Sequence, residues 1–179
     1  MSLGFERVLC PVDMSPFALE ALKLAAKVAA TSTAALYLLH VIDNPYDELY
    51  MTPITQADPA LFGLYTDEPA RRTKVMSEAL EHAEVMLKQF AHEWVHDLPK
   101  VRYLVASGNP FEKILDTAED QLIDLIVLGT HGRTGVKRLL IGNVAEKVVR
   151  HAPCPVLTVK RRATDKESQT PVSNPSAAS

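Results

Sequence analysis

The chain has 179 residues, 47% of them apolar and 23% charged, with a formal net charge of −3. Those figures fit one well-buried domain of ordinary composition, and the slight negative charge gives no electrostatic footprint for nucleic acid or an anionic membrane as partner. No apolar run is long enough to cross a bilayer and no charged-then-apolar leader opens the chain, so the expected compartment is the cytoplasm.

Arg7 to Val12 reads as a buried strand, with Cys10 inside it. Asp13-Met14-Ser15-Pro16 then opens a helix, with Ser15 as N-cap and Pro16 at the first helical position. Phe17, Leu22, Ala25, Ala26 and Ala29 form its apolar face. Asp13 has two readings: an acid that helps to start the helix, or a group at the carboxyl end of the first strand, where open α/β sheets bind ligands. Ala35 to Val41 is an almost unbroken apolar run, as expected of a strand covered on both faces, and His40 within it reads as a buried structural residue rather than a ligand. The periodicity then collapses. Residues 42–68 carry Pro45, Pro53 and Pro59 among Tyr46, Tyr50, Phe62 and Tyr65, and are expected to form a long loop insertion packed on the domain's own edge or covering a ligand or partner.

Pro69 opens a long helix with Met76, Ala79, Leu80, Ala83, Leu87, Phe90 and Trp94 at helical spacing. Its far end reads His92-Glu93-Trp94-Val95-His96, a match to the HExxH pattern of zinc proteases. At about 100° per residue the two histidines lie roughly opposite the apolar stripe and face solvent, whereas a catalytic zinc helix turns them into a cleft. No metal site is therefore assigned. Val101, Tyr103 and Val105 alternate with more polar neighbours, which suits an edge strand. Asn109-Pro110-Phe111-Glu112 starts another helix with Asn109 as cap, and Ile114, Leu115, Ala118 and Leu122 form its buried face. A strand at Leu125 to Leu128, a helix from about Asn143 and a fifth strand at Pro155 to Val159 complete an alternation that implies a single-domain, doubly wound parallel α/β sheet with helices on both faces. Cys154 lies between two prolines; with neither a CxxC nor a metal spacing, both cysteines are expected to be reduced and structural. After Lys160 the composition turns to Ser, Pro, Asn and Ala, so residues 1–160 are expected to be the domain and 161–179 a disordered tail.

Between the fourth strand and the last helix lies a loop with Gly129, Gly132, Gly135 and Gly142 and the cations Arg133, Lys137 and Arg138. Glycine lets backbone N–H groups approach a phosphate closely, and the helix behind the loop offers unpaired N–H groups and the positive end of its dipole. Neither the Walker loop nor GxGxxG fits; the spacing is G-x2-G-x9-G from Gly129 through Gly132 to Gly142. That spacing resembles the nucleotide-binding signature of the universal stress protein family. The resemblance continues through Val144 to Arg150, through His151-Ala152-Pro153-Cys154-Pro155-Val156, and back to the opening Val8-Leu9-Cys10-Pro11-Val12-Asp13.

The resemblance implies a Rossmann-like sheet of the adenine nucleotide alpha hydrolase type, strand order 3-2-1-4-5. It also implies ATP, or AMP or ADP, as ligand, with Mg2+ accompanying the phosphates. By the same resemblance Pro11, Val12, Asp13 and Val41 surround the adenosine, while Gly129, Gly132, Arg133, Gly142, Asn143 and Val144 hold the phosphates. One position departs from the family's pattern: Asn143 follows Gly142 where Ser or Thr is usual, which removes a hydroxyl but leaves an amide that can cap the helix and donate a hydrogen bond. The implied role is a stress-response sensor or regulator. No catalytic residue is assigned, and at most slow ATP hydrolysis is expected, because phosphoryl transfer needs a positioned base or water-orienting group. The alternative is a dimeric scaffold for protein partners that binds no nucleotide. Either way a homodimer is expected through the last strand, which lacks the charges that protect an exposed edge.

Overall fold

The computed structural model describes residues 4–42, 69–130 and 142–160. Five parallel strands, β1 (Arg7–Pro11), β2 (Ala35–Ile42), β3 (Val101–Ser107), β4 (Leu125–Gly129) and β5 (Val156–Val159), form one sheet in the order β3-β2-β1-β4-β5. The described helices are α1 (Pro16–Ser32), α2 (Pro69–Val95), α3 (Pro110–Asp120) and α4 (Asn143–His151).

Alternation along the central strands sends neighbouring side chains to opposite faces, and each face has its own core. Val8, Cys10, Leu36, Leu38, Leu125 and Val127 pack with Ala18, Ala21, Leu22 and Ala25 of α1 and Leu87, Ala91 and Val95 of α2. Leu9, Tyr37, Leu39, Ile126 and Leu128 pack with Ile114 and Ala118 of α3 and Ala145 and Val148 of α4. Leu9, Leu36, Leu38 and Ile126 are wholly inaccessible to solvent; each such side chain contributes about 1.5–3 kcal/mol. Burial raises the Cys10 thiol from its ordinary 9.0 to about 12, so it is neutral and inert at physiological pH. Cys154 is half-buried and its thiol is also raised, first by desolvation and then by the nearby Asp124 carboxylate.

Helix starts follow the sequence. The Ser15 hydroxyl accepts from Ala18 N–H at 3.2 Å, and the Asn109 side chain accepts from Phe111 N–H at 3.0 Å, each just ahead of a proline. Buried faces follow it less closely. In α1 the small Ala18 and Ala21 are buried while Phe17 is half-exposed. In α2 the described stripe runs Ala83, Leu87, Ala91 and Val95, which moves Trp94 to its margin, under the Lys23 ammonium at 4.5 Å from the ring centroid. Leu122, expected on the inner face of α3, is 71% exposed. The helix has ended before it; Leu122 adopts a left-handed φ of 51°, and Ile123 turns inward in its place.

The expected loop insertion at 42–68 and the tail at 161–179 lie outside the described residues, apart from Ile42, which closes β2. Among the described residues no helix is long and apolar enough to cross a membrane.

Candidate functional site

β1 and β4 are central and adjacent, and their following chains leave the sheet in opposite directions, β1 into α1 on one face and β4 toward α4 on the other. This is the switch point at which a crevice forms outside the carboxyl ends of the strands. A cleft of about 310 Å3 lies there. Pro11, Val12 and Asp13 from the end of β1, Val41 from β2, Gly129 from β4, and Gly142, Asn143 and Val144 from the start of α4 all border it. The structure thus brings together eight residues that the sequence reading had grouped from four separate stretches. Gly132 and Arg133, together with Lys137 and Arg138, lie outside the described residues.

Each wall is fixed locally. Asp13 Oδ1 accepts from Ser15 N–H at 3.0 Å, so this carboxylate shapes the turn into α1, and it borders the cleft as well. Met14 between them has φ 60°, a left-handed conformation uncommon for a side chain of its size. On the opposite wall Thr130 bridges two elements. Its N–H donates to the Val159 carbonyl at 2.9 Å, and its carbonyl accepts from Gly142 N–H at 2.6 Å, which pins the start of α4 beside the end of β4. The N-cap of α4 is Gly142 and not Asn143, with no side-chain cap bond; Asn143 is already the first helical residue. A glycine serves nearly as well as a polar residue at that position. Its φ of −68° is open to any residue, so the backbone does not demand glycine there. The N–H groups of Asn143, Val144 and Ala145 have no partner within the helix, and all three residues border the cleft.

His40 was expected to be structural, and it is 9% exposed with Nδ1 donating to the Val12 carbonyl at 2.7 Å; it also borders the cleft, which its sequence position alone did not suggest. Among the described lining residues Asp13 is the one formal charge. A larger hollow of about 620 Å3 lies at the amino ends of the strands, bordered by Arg7, Tyr37, Lys100 and Arg102. Its size is not a reason to prefer it, since it collects none of the residues singled out above. His92 and His96 are exposed on α2, with ring centroids 6.0 Å apart, away from either hollow. Among the described residues no three His, Cys, Asp or Glu side chains are grouped to hold a metal ion.

Residues 4–160 match the Universal stress protein family. Universal stress protein MJ0531 of Methanocaldococcus jannaschii is 34% identical over 158 residues, covering 88% of this chain and 83% of that protein. The solved structure of MJ0577, from the same organism, superposes with a TM-score of 0.69 at 28% identity, covering 89% of this chain and 99% of that one. A universal stress protein family protein from Arabidopsis thaliana, solved with AMP bound, shares the fold at a TM-score of 0.56 and 21% identity, over 91% of this chain and 96% of its own. The family match over residues 4–160 and the 34% identity agree with the sheet order, and this chain belongs to the universal stress protein family.

Proposed function

We propose that this protein binds ATP or a related adenine nucleotide in the cleft at the carboxyl ends of β1, β2 and β4, and acts through that binding as a stress-response regulator in the cytoplasm. One observation carries the reading: the phosphate-type features, Gly129 and the open N-terminus of α4, border the same cleft as the Val12–Asp13 and Val41 segments that would hold a nucleoside. The AMP bound to the Arabidopsis protein of the same fold supports it. Phosphates would rest on the N–H groups of residues 143–145, with Gly132 and Arg133 completing the cradle. A magnesium ion would be held mainly by those phosphates and water, because Asp13 is the one carboxylate among the described lining residues. The protein then acts by occupancy rather than turnover, with at most slow hydrolysis. Titration of ATP and AMP with magnesium into the purified protein tests this. Saturable binding at one site per chain is the expected outcome, and no binding of either nucleotide would leave the scaffold reading in its place.

We propose also that the protein is a homodimer joined along β5. That strand is at the sheet edge, Leu157 is 37% exposed, and its sequence, Val156-Leu157-Thr158-Val159, carries no charge. Light scattering at micromolar concentration should give twice the chain mass, and Val156→Lys should give the single chain. A monomeric wild type would refute it.

A further inference from the structure

The β1–β2 ladder ends with a bond from Val12 to Leu39. Register runs from Arg7↔Ala35 to Pro11↔Leu39, and Val12 N–H then donates to the Leu39 carbonyl at 2.8 Å. In a parallel ladder the next bond would run from Val41 N–H to the Val12 carbonyl. That carbonyl instead accepts from His40 Nδ1 at 2.7 Å, and since a carbonyl only accepts, Nδ1 carries the proton. The other side of β2 behaves regularly: Leu36 N–H donates to the Lys100 carbonyl and the Ile42 carbonyl accepts from Gly108 N–H, so even-numbered residues of β2 serve β3 and odd-numbered ones serve β1. Val41 is odd-numbered. Its N–H and C=O therefore point toward the space where β1 has ended, and Val41 borders the cleft there. Among the described residues neither group has a backbone partner on that side.

We infer that His40 is a positioning residue: by taking the Val12 carbonyl, its imidazole ends the β1–β2 ladder early and leaves the Val41 N–H and C=O as an open donor–acceptor edge for a heteroaromatic base. An N–H and a C=O side by side on one extended residue match the adjacent acceptor and donor of a purine's hydrogen-bonding edge. Without the imidazole, the Val12 carbonyl, in a residue buried among apolar side chains, would be left unsatisfied, and the Val41 N–H is the next donor in the ladder's register. The edge would then close. His40 lies one residue before Val41 in sequence but acts through a residue 28 positions away.

This inference rests on the nucleotide reading for its ligand, but half of its test does not. His40→Phe keeps the ring and removes the donor, while His40→Asn returns an N–H to the place of Nδ1. In ligand-free protein, the Val41 amide should exchange with solvent at least about tenfold more slowly in His40→Phe than in wild type, as it gains the Val12 carbonyl. ATP affinity should fall about tenfold or more in His40→Phe, the scale of one lost hydrogen bond at the base, and return in His40→Asn. If His40→Phe does not fold, His40→Leu takes its place. Unchanged Val41 exchange overturns the inference even if binding falls, since the histidine would then act through stability alone. Unchanged ATP affinity in His40→Phe, with wild type binding, also overturns it. If wild type binds no nucleotide, the proposed function fails, and the exchange comparison still decides whether His40 ends the ladder.

Discussion

The two ends of the sheet each carry a hollow, and the larger is the poorer candidate. At the amino end several polar groups are engaged with one another. Asp124 accepts from the N–H groups of Glu6 at 2.6 Å and Arg7 at 3.2 Å, the Arg7 guanidinium donates to the Gln121 and Leu122 carbonyls at 3.5 and 3.4 Å, and Arg102 lies over the Tyr37 ring at 5.6 Å. At the carboxyl end β1 stops, α4 begins without a side-chain cap, and oriented N–H groups are left over. A site is marked by polar groups that the fold aims and leaves unpaired, more than by volume. The 620 Å3 hollow is the larger, while the 310 Å3 cleft is the one bordered by the open start of α4.

The largest effect that could break this comparison is at Gly142. Gly142→Arg fills the cradle, and titration should find no ATP binding while the melting temperature holds, because the backbone there suits any residue. Residual binding near the wild-type affinity would move the phosphates elsewhere. The amino end should give the opposite split. Asp124→Ala removes the acceptor of two backbone N–H groups and should lower stability by about 2 kcal/mol in denaturant melts, with ATP affinity unchanged. Loss of affinity there would mean that the two ends are not independent.

Between the ends, Cys10 sets a pH dependence. Its thiol is raised from 9.0 to about 12 in the folded state, so between those values the folded chain holds a proton that the unfolded chain releases. Stability from this group is complete below about pH 9 and is lost as pH rises toward about 12. Cys10→Ala should flatten that part of the stability–pH profile, and an unchanged profile would assign the slope to other groups. The smallest expected effect sharpens the comparison. Asn143→Ser should keep ATP binding or tighten it by up to about 1 kcal/mol, one net hydrogen bond. If only Asn143→Ser binds and wild type does not, the departure from the family's pattern has turned the cleft off.

The sequence made the framework legible where one local rule decides: unbroken apolar runs at Leu36 to Leu39 and Leu125 to Leu128 mark strands covered on both faces, and Ser15 and Asn109 before prolines mark helix starts. Edge strand β3 was readable from its alternation. Local rules failed where two of them competed. Asn143 is a good cap residue, but the helix takes Gly142 as its cap, leaving Asn143 inside the helix. Leu122 continues the apolar spacing of α3, but the chain turns left-handed to let Ile123 enter the core. The cleft residues emerged through the family resemblance and the glycine spacing. The His40–Val12 bond could not be read at all, since nothing near either residue reveals a partner across the strand gap.

Thr130 gives the two proposed surfaces a common hinge pin. Its N–H holds the last residue of the edge strand, and its C=O holds Gly142, which leads into α4. Any partner that shifts the end of β5 pulls on the same residue whose carbonyl holds the rim of the cleft. Traffic along that short route runs both ways: whatever steadies the rim steadies the edge, by the same free energy.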